Sequence, residues 1–352
     1  MASYPTSAKV FTTKNPGDTI LASTDNEEQD EITAIEQDLI SGLPAARGGT
    51  GGTSAGSVGQ VLTSTGTAFT PQTAPAQQLS TCGRLSLTTA VPVTTADVTA
   101  ATTLYYALYA GNRIALYSGS AWVDLAIAEL SIAVPATTNT MYDVFIDYNS
   151  GTPALAVTAW TNDTTRATGL TTQNGVLVLT GSTGKRYVGS FRTTGVSGQT
   201  EDSFAKRYVW NYYHRMARPL RVMDATNSWT YDSATYQQAN ASAANQLDLV
   251  CGVSEEALEA QVLAQVSHNT GSAVSVSIGQ DAITGVTGVI GGRAVIGTTA
   301  GYAVTCALRI IPAVGRHYYT WLESGGGATT TWYGDNNAPT LLQSGIHGMW
   351  RG

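Results

Sequence analysis

From residue 104 onward the chain is cut into short runs in which apolar and polar residues alternate, with turn signals between them at intervals of roughly ten residues. Residues 104–125, LYYALYAGNRIALYSGSAWVDL, read as a strand, a Gly111-Asn112 turn, a strand over 114–117, a turn at Gly119 and a third strand. Residues 141–148, MYDVFIDY, alternate cleanly: Tyr142, Val144, Ile146 and Tyr148 share one face, and Asp143, Phe145 and Asp147 the other. GVLVLTG, KRYVGSFRTT and KRYVWNYYHR continue the pattern. After a break at VMDATNS it resumes in SWTY, QLDLVCGV, AVSVSIG, YAVTCALRII, RHYYTWLES and TTTWYG. Such a pattern fits poorly with a helical enzyme. It predicts β-sandwich modules, the second resembling a jelly roll. The segment 254–267 has good helix formers, yet Ala260, Val262, Ala264 and Val266 alternate, which favours a strand.

Composition agrees. Charged residues are 12% of the 352, about half the usual share, so surface polarity rests on hydroxyls. The net charge of −7 is uneven: the first 45 residues hold eight carboxylates against two lysines. Residues 185–221 instead carry Lys185, Arg186, Arg192, Lys206, Arg207, Arg215, Arg218 and Arg221 against Glu201 and Asp202. That stretch fits either an anionic partner or, in an acidic chain, solvated and ion-paired strand residues; the second is the expectation, and no nucleic acid partner is expected. Cys82, Cys251 and Cys306 show no CxxC spacing, and His214, His268, His317 and His347 form no HExxH, so no metal site, disulfide framework or cofactor is expected. The Gly-rich stretch 43–62, LPAARGGTGGTSAGSVGQVL, contains neither phosphate-binding pattern; it suits a hinge or a close crossing of strands. No apolar run is long enough to cross a membrane, and MASYPTSAKVFTTKNPGDTI lacks a secretory signal, so cytoplasmic synthesis without membrane insertion is expected.

Ahead of the Gly-rich stretch, Ser23, Thr24 or Asp25 can cap a short helix whose acidic first turn suits the helix dipole. Ile32, Ile35, Leu39 and Leu43 form its single apolar stripe, ended by Gly42 and Pro44. Two heptads are marginal alone. Isoleucine at both seam positions favours a three-stranded coiled coil, and the alternative is docking on the chain's own β body.

The NPGDTI turn, this acidic helix and GLPAARGGTGGTSAGSVGQVLTSTGTAFTP, together about residues 10–72, resemble the N-terminal and neck segments of tailed-bacteriophage fibre proteins. YAGNRIALYSGSAW, YDVFIDY and the closing GIHGMWRG are similar in texture to β-rich modules of phage structural proteins. The resemblance implies a homotrimeric virion fibre: residues 1–45 anchoring to other virion proteins, a neck or linker over 46–84, and β modules over 85–222 and 223–352 facing the host. A head fibre, a decoration protein and a short side fibre all remain open.

No enzyme is expected. Asp143 and Asp147 lie about 13 Å apart along a strand, wider than a glycosidase pair, and read as two acids on a solvent face. No repeat of the kind that builds a depolymerising β-helix is evident. The runs NYYHR and RHYYTW are the candidate sites for a host glycan or receptor: Tyr212, Tyr213, His214 and Arg215, then Tyr318, Tyr319 and Trp321, with Trp350 expected to be exposed near the end. The competing reading places these aromatics, and Trp122, Trp160, Trp229 and Trp332, in a sandwich core or trimer interface.

Overall fold

The computed structural model describes residues 16–17, 29–30, 32–33, 60–64, 69–73, 80–268, 271–288, 290–291, 293–296 and 301–352. By contacts the chain forms two units, Met1–Gln78 and Leu79–Gly352. The fold is mostly β; among the described residues the helical ones are Gln29, Asp30, Ile32, Thr33 and two three-residue 3-10 turns.

In the first unit, Ile32 sits in the expected helical segment with its side chain 57% exposed, while Ile35, Leu39 and Leu43 lie outside the described residues. Within the expected neck, Gln60–Ser64 pairs antiparallel with Phe69–Thr73, from Gln60↔Thr73 to Ser64↔Phe69.

The second unit is layered around one sheet. Its strands run in the order Thr165–Arg166, Ala154–Asn162, Met141–Asp147, Ser182–Arg192, Val176–Leu179, Leu170–Gln173, with Val209–Asn211 also on Ser182–Arg192. Alternation along Met141–Asp147 sends Tyr142, Val144 and Ile146 into one core with Leu85, Leu104 and Leu116, and Met141 and Phe145 into the other. The first core is closed by Gly83–Ser86, Thr103–Leu108, Leu130–Ala133 and the Arg113–Tyr117/Trp122–Ala126 hairpin. A bulge between Tyr187 and Gly189 shifts the alternation by one residue, so that Val188 and Phe191, three positions apart, face the same core while Tyr187 faces the other. Gly189 is needed beside it, since a Cβ there would lie within 2.2 Å of the Trp210 carbonyl oxygen.

Both faces of this sheet are therefore covered at Asp143, which overturns the expectation that this acid faces solvent, while Asp147 at the strand's end stays partly exposed. Asp143 is 1% exposed. Arg166 grips its carboxylate through Nε (2.6 Å) and Nη2 (3.1 Å), and the Ser190 hydroxyl donates at 2.7 Å. Burial pushes the Asp143 carboxyl up and works against the Arg166 charge, but three donors on one carboxylate favour the ionised pair. Asp147 lies near Lys185 at 3.9 Å.

Beyond the second core lies a sandwich of two further sheets. In one, Ser272–Gln280, Gly315–Ser324 and Gln246–Cys251 are neighbours; Lys206–Arg207 joins Gln246–Cys251 in parallel. In the other the order is Ala217–Met223, Gly345–Arg351, Leu258–His268, Tyr302–Ile310, Ile290–Gly291. The ambiguous segment is thus a strand, with Leu258, Ala260, Val262, Ala264 and Val266 buried. The Ala217–Met223 strand pairs along its whole length with Gly345–Arg351. The three cysteines are free and buried, and burial pushes their thiols up to about 11 for Cys82 and about 12 for Cys251 and Cys306, which keeps them protonated.

Glu323 is buried in this sandwich. It accepts hydrogen bonds from Trp229 Nε1 (2.8 Å), Gln237 Nε2 (3.0 Å) and the Asn240 amide (3.0 Å). No cation pairs with it among the described residues, and burial pushes its pKa from 4.5 up to about 7. A carboxyl raised on folding stabilises most below its unfolded value, and the contribution is lost as pH rises through the folded one. Wild-type stability relative to Glu323→Gln should therefore fall by about 3 kcal/mol between pH 4 and pH 8 in urea titrations. A difference independent of pH would refute this.

Candidate functional site

Of the two Tyr-pair runs, the first stands at the surface. It follows the Val209–Asn211 strand, where the chain bends and His214 takes φ +52°, a left-handed conformation uncommon for a residue with a Cβ. His214 Nε2 lies 2.9 Å from the Thr81 carbonyl, which only accepts, so this nitrogen carries the proton.

The bend leaves Tyr212, Tyr213, His214 and Arg215 half-buried and joins them to residues far away in sequence. Tyr117 and Trp122, at the two ends of the Gly119 hairpin, have ring centres 5.5 Å apart. The Arg186 guanidinium lies 5.9 Å from the Trp122 ring and 4.8 Å from the Tyr213 ring. Tyr213 meets Tyr212 edge-on at 4.8 Å, and Arg215 lies 5.6 Å from the Tyr212 ring. Tyr109, 46% exposed, flanks His214 at 5.7 Å. The product is one ridge, Tyr117–Trp122–Arg186–Tyr213–Tyr212–Arg215, in which the buried Arg186 guanidinium joins two pairs of half-exposed aromatic rings and Arg215 ends the row.

The ridge is rigidly held. Arg186 is buried; its Nη1 donates to the Ser80 and Ala115 carbonyls at 2.9 and 2.7 Å, and its Nε to the Tyr213 hydroxyl at 3.2 Å. Trp122 Nε1 donates to Asn174 Oδ1 at 3.1 Å, and Arg215 pairs with Glu255 at 2.6 Å. Burial pushes the Tyr212 phenol up, so it stays a neutral donor. Fixed aromatic faces with hydrogen-bonding rims can hold apolar faces of a polar ligand at little entropic cost.

The second run does something else. Along Gly315–Ser324, Arg316 and Tyr318 are half-buried, whereas Tyr319 and Trp321 are fully buried in the second core. Trp350, expected at the surface, is 1% exposed. Its strand lies between Ala217–Met223 and Leu258–His268, so closeness to the sequence end is not closeness to a sheet edge. Trp160, Trp210 and Trp332 are core residues too.

The basic stretch is largely consumed by ion pairs. Arg192 bonds Asp163, Lys206 bonds Glu201, and Arg207 and Arg218 share Asp202. Of the acids that a glycosidase pairing with Asp143 would use, Glu201 bonds Lys206 and Asp202 two arginines, as Asp143 itself bonds Arg166, whereas Asp335 accepts from the Asn337 amide at 3.0 Å. Among the described residues no group of three or more His, Cys, Asp or Glu is placed to hold a metal, and no helix is long and apolar enough to cross a membrane.

The sequence singled out the Tyr212–Arg215 half of the ridge and missed Tyr109, Tyr117 and Arg186. The available signal was the YSGSAW hairpin, which presents an aromatic residue on each side of the Ser118-Gly119-Ser120-Ala121 turn.

No family model matches the chain, and no curated protein matches it. Among solved structures, a tryptic core variant of Bacillus thuringiensis Cry1Da aligns at 6% identity over 72% of this chain and 48% of the toxin, with a TM-score of 0.20. The insecticidal delta-endotoxin Cry8Ea1 from Bacillus thuringiensis aligns at 7% identity over 77% of this chain and 52% of the toxin, with a TM-score of 0.22. The chain spans about half the length of either toxin, and a likeness of that size establishes neither a shared fold nor a shared function.

Proposed function

We propose that this chain is a structural fibre protein of a phage virion, attached through residues 1–45 and binding a host surface glycan with its β body. The observation that carries the binding half is the half-exposed ridge from Tyr117 to Arg215, an aromatic surface held in place by buried arginine bonds. The attachment half rests on the resemblance of residues 10–72 to phage fibre necks. In a homotrimer, three such ridges on one particle raise avidity without any new contact. The protein acts by binding, without catalysis or cofactor.

Fluorescently labelled protein should bind the host bacterium saturably and lose that binding when the surface polysaccharide is removed. Trp122→Ala should weaken binding about tenfold with the melting temperature unchanged, because Trp122 is half-exposed on a hairpin. Equal binding to cells stripped of polysaccharide would refute the glycan reading. No binding by an intact oligomer would point to capsid decoration or a head fibre instead.

A further inference from the structure

The outer face of the sheet built on Leu258–His268 continues the ridge. Arg215 reaches Glu256 (3.5 Å) as well as Glu255. Glu256 in turn lines a cleft of about 330 Å³ with Ala217, Met349 and Arg351 and the Glu259–Arg309 pair. A neighbouring cleft of about 400 Å³ opens over small Ala307, between Ile290 and Met349, with Gln261 and His347 on its wall. Register fixes this arrangement: Gln261 stands opposite both His347 and Ala307, and His347 opposite Arg221. Apolar platforms and side-chain amide and imidazole groups thus share one open sheet face.

The charge on that face is the telling feature. In a chain of net charge −7, Arg113, Lys185, Arg192 and Arg215 elsewhere in this unit are all matched to acids. Arg221 and Arg351 are exposed and have no acidic partner among the described residues. Both lie on this face, and Arg309 beside them is matched by Glu259 at 3.3 Å. Arg221 stands opposite His347, and Arg351 is four residues further along the same strand, about 13 Å away. Two such guanidinium groups at that spacing, with the exposed Met349 between them, complement an extended chain bearing repeated anionic groups.

We propose that this face binds an acidic polysaccharide, its sugars running from the ridge across Glu256 onto the sheet and its carboxylates or phosphates meeting Arg351 and Arg221. The assignment rests on the glycan-binding reading and deepens it to a ligand class and a second subsite.

The test uses the full chain on an array of bacterial glycans carrying uronate, phosphate and matched neutral saccharides, with a DNA duplex as an unrelated polyanion. Acidic glycans should be retained at least tenfold better than neutral ones, and retention should fall steeply between 50 mM and 500 mM salt. Arg221→Gln/Arg351→Gln should lose about tenfold of that retention at unchanged melting temperature. Arg221 also lies 5.1 Å from the Phe204 ring, so Arg351→Gln alone controls for a packing effect. Retention of no acidic glycan, equal retention of neutral ones, an arginine-independent signal, or equal arginine-dependent retention of DNA would each overturn the proposal. The whole-cell assay separates the two readings: polysaccharide-dependent binding that ignores both arginines sinks this subsite and leaves the glycan reading standing, and its absence sinks both.

Discussion

Asp143→Ala is expected to destabilise the Leu79–Gly352 unit by about 3–5 kcal/mol, the usual consequence of leaving one partner of a buried ion pair uncompensated. Arg166 would keep its guanidinium beside the Trp160 ring, 4.5 Å away, still bonded to the Gly252 carbonyl at 2.7 Å but without a counter-charge among the described residues. Ser190 would lose the acceptor of its hydroxyl, and Tyr187, bonded to Ser190 at 2.7 Å, would lose the end of a three-residue network. Replacing both charged partners, as Asp143→Leu/Arg166→Met, should cost clearly less than the sum of the single changes. Urea titrations of the three variants check this. Additive single and double changes would mean that the pair contributes nothing as a pair.

The second large effect falls on a residue that sequence alone offered as a ligand contact. Trp321→Ala should cost about 3–5 kcal/mol, because the side chain is fully buried and packs edge-on against Trp229 at 5.9 Å. Stability and host binding should then fall together. Trp122→Ala, on the surface ridge, should lower binding alone. Trp321→Ala with unchanged stability and lost binding would place Trp321 at a surface and contradict the second core.

Alternation was legible wherever a strand had to choose between two environments. MYDVFIDY divides its residues between two cores in the order the sequence predicts, and the spacing of Ala260, Val262, Ala264 and Val266 outweighed the helix propensity of their neighbours. The Tyr212–Tyr213 pair could be picked out because two aromatics beside His and Arg are uncommon in a chain with so few charges. What alternation leaves undefined is the environment on each side. Asp143 looked solvent-facing because an acid on a strand normally is, and Trp350 looked exposed because it is near the end. Neither inference includes the neighbouring layer.

By itself, then, the sequence determined that this chain is built of short strands, where most of them lie, and which residues share a face. These follow from the two-residue period of an extended backbone and the local conformational demands of Gly, Asn and Pro, all readable within a few positions. Only the tertiary structure decided that the Met141–Asp147 sheet is covered on both sides, that Asp143 needs Arg166, and that Trp122, Arg186 and Tyr213 meet on one ridge. It also decided that Arg221 and Arg351 share one open face with no acidic partner among the described residues. Those outcomes depend on strand pairings and layer contacts between residues up to hundreds of positions apart, and no local period encodes which strand becomes whose neighbour.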